Sequence, residues 1–441
     1  MRTMKKLIVI AMLLLPLFAH AEEVEIDGLW YNLNAEDMTA EVIRCKGEQY
    51  YYGDVIIPNV ILYKDVEYEV TAIKGAFAGC FGLTSITIPK SVKSLRDFAF
   101  DSCSNLTSVH ITDLAAWCNI SFSNSTSNPL HNIMSPRLFV NGEEIVDLVI
   151  PNNVTCINDY AFLGYSGLSS VSIPDKVAAI GNNVFEDCDE LTLVSIGSGV
   201  TSIGCHAFTN CKKLTTINIP DNVTTIGDYA FSGCQHLNSI TILDGVTAIG
   251  EGMFGDCIGL TNIYLPNSVT TIGRAAFIGC LALNSINIPN NVTTIGDDAF
   301  CSCISLTTFS LPNSVTSIGN GAFYACIRLT DFYCYAESVP STSSNVFLQT
   351  HQDLCTLHVP PASLEAYKAT APWSDFKNIV PLTDEETGIP EVKQIAEKKG
   401  KEGIVYDLSG RRVANSSEFQ GSSFKLPKGV YIQNGKKVVV K

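Results

Sequence analysis

Nine cysteines recur at one phase of a repeat: Cys80, Cys103, Cys188, Cys211, Cys234, Cys257, Cys280, Cys303 and Cys326 each stand three residues after a phenylalanine. Such an array could be a disulfide framework, a metal site, a set of reactive thiols, or a packing device without chemistry. Equivalent residues of stacked units lie about 4.8 Å apart, which is within the Cα range a disulfide permits. Direction argues against bridging, because equivalent side chains point in parallel while a disulfide needs converging Cβ vectors with a dihedral of about 90°. Nine is also odd, and would strand one thiol. A single line of sulfurs cannot surround a tetrahedral ion. The expectation is an unreactive ladder in which a small apolar residue with a weak S–H donor fills a narrow corner beside backbone carbonyls. Cys334 reads as inward on a strand and Cys355 as lying on the opposite face, so no bridge between them is expected. The sequence assigns no partners to Cys45, Cys118, Cys156, Cys205 and Cys301.

Other chemistry is thin. Gly250, Gly252 and Gly255 match G-x-G-x-x-G, but Gly250 is a recurrent corner glycine, Phe254 a recurrent core residue, and sister units lack the pattern, which argues against a dinucleotide site. G-x-S-x-G, H-E-x-x-H and P-loop motifs are absent. The seven histidines do not cluster, and His206 and His236 fall at polar positions of two units. No catalytic residue, metal site or cofactor is therefore expected. Asn-x-Ser/Thr at Asn153, Asn222 and Asn291 arises from the repeat's own Asn-Val-Thr and is weak evidence of glycosylation; Asn105, Asn119, Asn124 and Asn415 also match.

The elements that must position these residues follow from the phenylalanines. Phe77 and Phe100, then Phe162, Phe185, Phe208, Phe231, Phe254, Phe277, Phe300 and Phe323, are spaced by 23 residues wherever the array is unbroken. A period of about 20 to 29 marks a leucine-rich-repeat-like solenoid. In "FTNCKKLTTINIPDNVTTIGDYA", Ile217 and Ile219 share one face and Thr216 and Asn218 the other, so this is a strand, ended by Pro220. Val223 to Ile226 forms a second short extended segment. Gly227, with counterparts at 181, 204, 250, 273, 296 and 319, suits a corner that needs positive φ or close backbone approach. The Ala-Phe pair reads as one helical or 3-10 turn. A unit this small cannot bury its own apolar set, so units must stack. The expected fold class is an α/β repeat solenoid of 23-residue units, short strands plus helical or 3-10 turns, with β-rich caps at both ends and a small β tail.

Outward strand positions form two ladders dominated by Ser, Thr and Asn. This is what a solvated sheet face looks like; the alternative is a broad ligand face with amphipathic anchors. The ligand-face candidates are His110, Trp117, Asn218, Tyr264, Asn287 and Tyr333.

Residues 1–21 read as a secretory signal peptide, with Arg2, Lys5 and Lys6 before an apolar run and Ala19-His20-Ala21 as cleavage site. Residues 22–73 form an N-terminal β cap and 74–326 the solenoid. Within it an irregular insert at about 113–147 carries an Asn141-Gly142 hairpin signal and is the first choice for a specific contact, since insertions in solenoids become loops on one face; a purely structural excursion is the equal alternative. Residues 327–382 form a C-terminal cap, 383–402 a charged linker, and 403–441 a small β segment with an Asn434-Gly435 hairpin signal. The mature chain has no run long enough to span a bilayer. A net charge of −15 offers no basic face for nucleic acid.

The unit "CKKLTTINIPDNVTTIGDYAFSGC" resembles the repeat of the BspA-like family of leucine-rich-repeat surface proteins over roughly residues 70 to 335, because Cys, Leu, Ile, Pro, Val, Ile-Gly and Ala-Phe hold their places. Tyr165 in place of Cys, Gly197 and Leu243 in place of Pro, and Arg96 in place of Gly depart from it. The tail "VYDLSGRRV... LPKGVYIQNGKKVVVK" is similar to carboxy-terminal sorting segments of exported Bacteroidetes proteins. The resemblance implies a non-catalytic secreted or cell-surface protein that adheres to host matrix proteins, glycoproteins or other cells. The alternatives are glycan capture for nutrient uptake and a structural spacer in the cell envelope.

Overall fold

Alternation at Thr216-Ile217-Asn218-Ile219 and at every equivalent segment builds a parallel sheet in which each strand is displaced by one repeat from the next. Ser170 pairs with Leu193, Leu193 with Thr216, Thr216 with Ser239 and Ser239 with Asn262. In this computed structural model the described residues are 22–47, 49–131 and 136–383, together with strand backbone at 404–407, 412–415, 429–433 and 436–440. The expected signal peptide, nearly all of the expected linker and the Asn434-Gly435 hairpin signal lie outside the described residues.

Each repeat is one coil with three walls. The second wall is the two-residue strand before the corner glycine, with Ala179 opposite Ser202 and Ser202 opposite Thr225, and a continuation from Ala248 through Thr271 and Thr294 to Ser317. Thr hydroxyls stitch these coils by donating to the preceding coil, as from Thr201 to the Ala178 carbonyl and from Thr270 to that of Thr247, both at 3.1 Å.

The third wall corrects the expectation of helical turns. Tyr229, Phe231 and Gly233 donate their N–H groups not to their own chain four residues back but to the carbonyls of Glu251, Met253 and Gly255 in the next coil, at 2.8, 3.0 and 2.7 Å. Tyr229 and Gly233 have φ of 57° and 71°, and the residues two before and two after the phenylalanine take this left-handed conformation in coil after coil. A left-handed residue interrupts any right-handed helical turn. Among the described residues the α-helices are Leu114–Cys118 and Leu364–Ala369, in the insert and the C-terminal region, and no repeat contains one. The solenoid is a β structure with turns.

Inside the coils the phenylalanines form one stack. From Phe162 to Phe323 successive ring centroids are 5.3 to 5.7 Å apart and the rings tilt by 4 to 16°. The separation exceeds the strand spacing of about 4.8 Å, so the rings are offset, the arrangement their quadrupoles favour. The corner glycines are settled by close approach. A Cβ on Gly227 would sit 2.4 Å from the Cys205 nitrogen and 2.7 Å from the Gly204 carbonyl carbon, with no positive φ there.

The insert lies within the stack rather than looping over one face. Ser121-Phe122 pairs with Ser94-Leu95, and Arg137–Val140 pairs with Ser108–Ile111, both in parallel. The Asn141-Gly142 hairpin is present, with Val140 opposite Glu143 and φ of 50° and 88° at the two turn residues. At the amino-terminal end, Glu22–Ile26, Leu29–Asn34 and Thr39–Ile43 pair antiparallel, and the last runs parallel to Val66–Lys74. At the other end Trp373 is fully buried against Phe332, Phe347 and Tyr367. Contacts divide the chain into two units at Thr383. In the second unit, 412–415, 404–407, 429–433 and 436–440 form an antiparallel sheet in that order. Among the described residues no helix is long and apolar enough to cross a membrane.

Candidate binding face

The outward ladder of the first wall is built by strand parity. Asn218, Tyr264 and Asn287 are exposed, and Tyr264 keeps 47% of its surface. Asn287 joins Ser310 of the next coil through an isolated parallel bridge. His110 is half-buried and stacks on Phe139, a residue of the insert, with centroids 4.7 Å apart. Tyr333 is half-buried and stacks on His358 at 4.3 Å, and the His358 Nε2 lies 3.2 Å from the Asp331 Oδ1. Tyr264 and Tyr333 stand three coils apart, about 14 Å at the strand spacing, so they would be separate anchors rather than one aromatic cluster.

Trp117 does not belong to this face. It is 1% exposed, its indole N–H donates to the Ala161 carbonyl at 2.8 Å, and its ring packs edge-on against Phe122 with centroids 5.4 Å apart. An indole buried so deeply needs an internal acceptor, and the insert coil supplies the position from which it reaches one.

Sequence reading missed His358 and Phe139 as ladder members. Both sit on strands whose register continues the face, Phe139 opposite His110 and His358 opposite Tyr333. The signal was the alternation Thr356-Leu357-His358-Val359, with Leu357 and Val359 buried.

The thiols occupy the opposite environment. The Sγ of Cys103, Cys188, Cys211, Cys234, Cys257, Cys280, Cys303 and Cys326 each donate to the carbonyl of the phenylalanine in the preceding coil, at 3.1 to 3.3 Å. Cys80, in the first coil, is buried with them. In the last coil Thr350 stands in this position and its hydroxyl donates to the Phe323 carbonyl, while Tyr165 reaches instead to the Ile145 carbonyl. Burial pushes the Cys234 thiol up to about 12, and Cys211, Cys257, Cys280 and Cys303 well above the usual range. A thiol so placed is neither nucleophile nor metal ligand.

All sixteen cysteines are free thiols. Cys355 is buried, not outward as its sequence position suggested, because it shares the inward parity of Leu357 and Val359; it precedes Thr356, the register partner of Asp331, which places it at the far end of the strand from Cys334. Cys334 instead lies 3.1 Å from the Tyr367 hydroxyl.

The G-x-G-x-x-G glycines are also structural. Gly252 has φ of 55° and lies under the Tyr229 ring, where a Cβ would clash at 2.2 Å. His206, likewise left-handed, stacks on Tyr229 at 4.9 Å, and the Tyr229 hydroxyl donates to Glu251. Among the described residues no group of three or more His, Cys, Asp or Glu side chains could hold a metal ion.

No curated protein matches this sequence. Among solved structures, a leucine-rich cell surface protein from Faecalibacterium prausnitzii is 24% identical with a TM-score of 0.53, over 81% of this chain and 98% of that one. A leucine-rich-repeat protein from Bacteroides ovatus is 26% identical with a TM-score of 0.37, over 73% of this chain and 99% of that one. The first of these shows the fold. The model of the BspA type leucine-rich repeat region, in six copies, matches residues 63–137, 132–260 and 247–369. It is a repeat family rather than a catalytic one, and its match spans well over half the sequence, so this chain belongs to the BspA-type leucine-rich-repeat family.

Proposed function

We propose that this is a non-catalytic surface protein, exported through its amino-terminal signal, that binds another protein through the outward ladder of the first wall. The partner class is a host matrix protein or glycoprotein, or a protein on the surface of another cell. The observation that carries this reading is a run of exposed polar side chains on the outward ladder that make no hydrogen bond within the described chain, although Thr hydroxyls at the start of the same wall do, as from Thr192 to the Ser169 carbonyl and from Thr261 to that of Asn238. On the second wall Thr hydroxyls are spent on coil-to-coil hydrogen bonds. On the outward ladder Asn218, Thr241, Asn287 and Ser310 are exposed, with no side-chain hydrogen bond within the described chain. A rigid, weakly charged sheet with exposed amides, hydroxyls and amphipathic rings suits a protein interface, where Tyr is enriched and charge depleted at the centre.

The test is binding of the purified protein to immobilised fibronectin, fibrinogen, mucin and intact partner cells. Binding that weakens at least tenfold in Tyr264→Ala or Tyr333→Ala supports the reading. Absence of binding to all four surfaces removes the adhesive role, and binding that both variants retain removes the assigned face. Protease digestion of intact cells tests export, with loss of the protein from undamaged cells as the expected result.

A further inference from the structure

The position that follows the ladder cysteine runs along the third wall as Phe81, Ser104, Asp189, Lys212, Gln235, Ile258, Leu281, Ile304 and Ile327. Its one aromatic member, Phe81, is 58% exposed and borders a cleft of about 550 Å³. Phe100 lies at the cleft's base, and Asp101, Ser102, Ser104, Thr126 and His131 supply the rest of its lining. Two glycines shape the aromatic side. A Cβ on Gly79 would lie 3.6 Å from the Tyr50 ring, and one on Gly82 would lie 3.0 Å from the Tyr52 Cβ, so the two tyrosines pack against the turn that carries Phe81. Tyr52 is 80% exposed.

The platform is held rigidly. The Asn105 side-chain amide donates to the Phe81 carbonyl at 2.6 Å, across one coil. The insert provides the facing wall, because Phe100 donates its N–H to the Thr126 carbonyl at 3.1 Å and so fixes that segment against the coil.

We infer that this cleft is a binding site for an uncharged pyranoside, the terminal sugar of a glycan. A pyranose ring presents an apolar C–H face and a rim of hydroxyls. The cleft offers one exposed aromatic face for the first and a carboxylate, serine and threonine hydroxyls and an imidazole for the second, the mixture of apolar surface and few polar groups that small-molecule sites use. Among the described residues no Lys or Arg lines it, which disfavours a phosphate or carboxylate ligand. The site lies on the third wall, so it is independent of the protein-binding face.

The probes are methyl α-D-mannopyranoside, methyl β-D-galactopyranoside, methyl β-D-glucopyranoside and methyl N-acetyl-β-D-glucosaminide, each observed by saturation-transfer NMR with the full chain. At least one should receive saturation, strongest on the C–H protons of one ring face. Phe81→Ala should abolish the transfer and Phe81→Trp restore it, while Asp101→Asn weakens binding about tenfold by removing a charged acceptor. Phe81 is surface-exposed, so unchanged melting of the Ala variant separates loss of the site from loss of the fold. Tyr264→Ala should leave transfer unaltered. Transfer to none of the four probes, transfer undiminished in a folded Phe81→Ala variant, or transfer lost in Tyr264→Ala would each overturn the assignment.

Discussion

Replacing Gly227 by alanine puts a methyl group where the preceding coil's backbone already is. The new Cβ would meet the Cys205 nitrogen at 2.4 Å, the Cys205 Cα at 2.7 Å and the Gly204 carbonyl carbon at 2.7 Å. Ordinary carbon contacts need about 3.5 to 4.0 Å, so the coils must part by about 1 Å. They are pinned at that point by the hydrogen bond from the Gly227 N–H to the Ile203 carbonyl, 2.9 Å long. Overpacking costs about 1–3 kcal/mol and a weakened hydrogen bond about 1 kcal/mol, against about 0.4–1 kcal/mol regained from a less flexible unfolded chain. The net expectation is about 1–3.5 kcal/mol of destabilisation. Urea denaturation followed by circular dichroism should show a lower midpoint, and amide exchange should accelerate first in residues 201–230. Gly250→Ala is the internal comparison, because its Cβ would meet the Asp228 Oδ1, which can rotate away at the cost of the hydrogen bond it accepts from the Glu251 N–H, while the Asp228 Cα stays at 3.6 Å. It should cost less. A Gly227→Ala protein as stable as wild type, or less affected than Gly250→Ala, would refute the account of the corner.

Ala275 has φ of 51°, a conformation that costs an L-residue about 1–2 kcal/mol, so Ala275→Gly should raise the denaturation midpoint by up to about 1 kcal/mol of stability despite the greater freedom of glycine. Trp117→Ala should cost about 3–5 kcal/mol, and exchange should become fastest in the coils around Phe100 and Phe162, which distinguishes a core indole from a surface anchor. Stability should also fall at alkaline pH. The Cys234 thiol titrates at an ordinary 9.0 when unfolded and at about 12 when folded, so above pH 9 the native state holds the extra proton and loses about 1.4 kcal/mol per pH unit for each such thiol. That contribution is complete below pH 9 and gone above about 12. Cys234→Ser should make the decline between pH 9 and 10.5 measurably shallower.

The repeat period, the strand parity and the inward phase of the cysteines were legible because each is a local pattern enforced twenty-three residues apart, and every coil repeats the evidence. The third wall was not legible. Tyr229 and Ala275 have no preference for left-handed backbone, and they adopt it because hydrogen bonds to the neighbouring coil outweigh the local cost. An Ala-Phe pair in isolation carries no sign of that neighbour. Trp117 misled for a related reason: an aromatic in an irregular segment reads as surface until the segment proves to be a coil of the stack. The Phe81 cleft joins residues from two coils and the insert, and His358 joins the ladder only through strand register, so neither has a contiguous signature. The alternation that placed Tyr264 outward needed no such partner, which is why its exposure could be read directly.

The recurrent thiols are interior packing groups, each closed against a carbonyl or an apolar core. Thiol labelling with iodoacetamide, counted by mass spectrometry, tests this most directly. The native protein should leave all nine ladder cysteines unmodified, and the denatured protein should gain sixteen adducts without any reductant. Rapid native modification of Cys234, or fewer than sixteen adducts after denaturation, would contradict it.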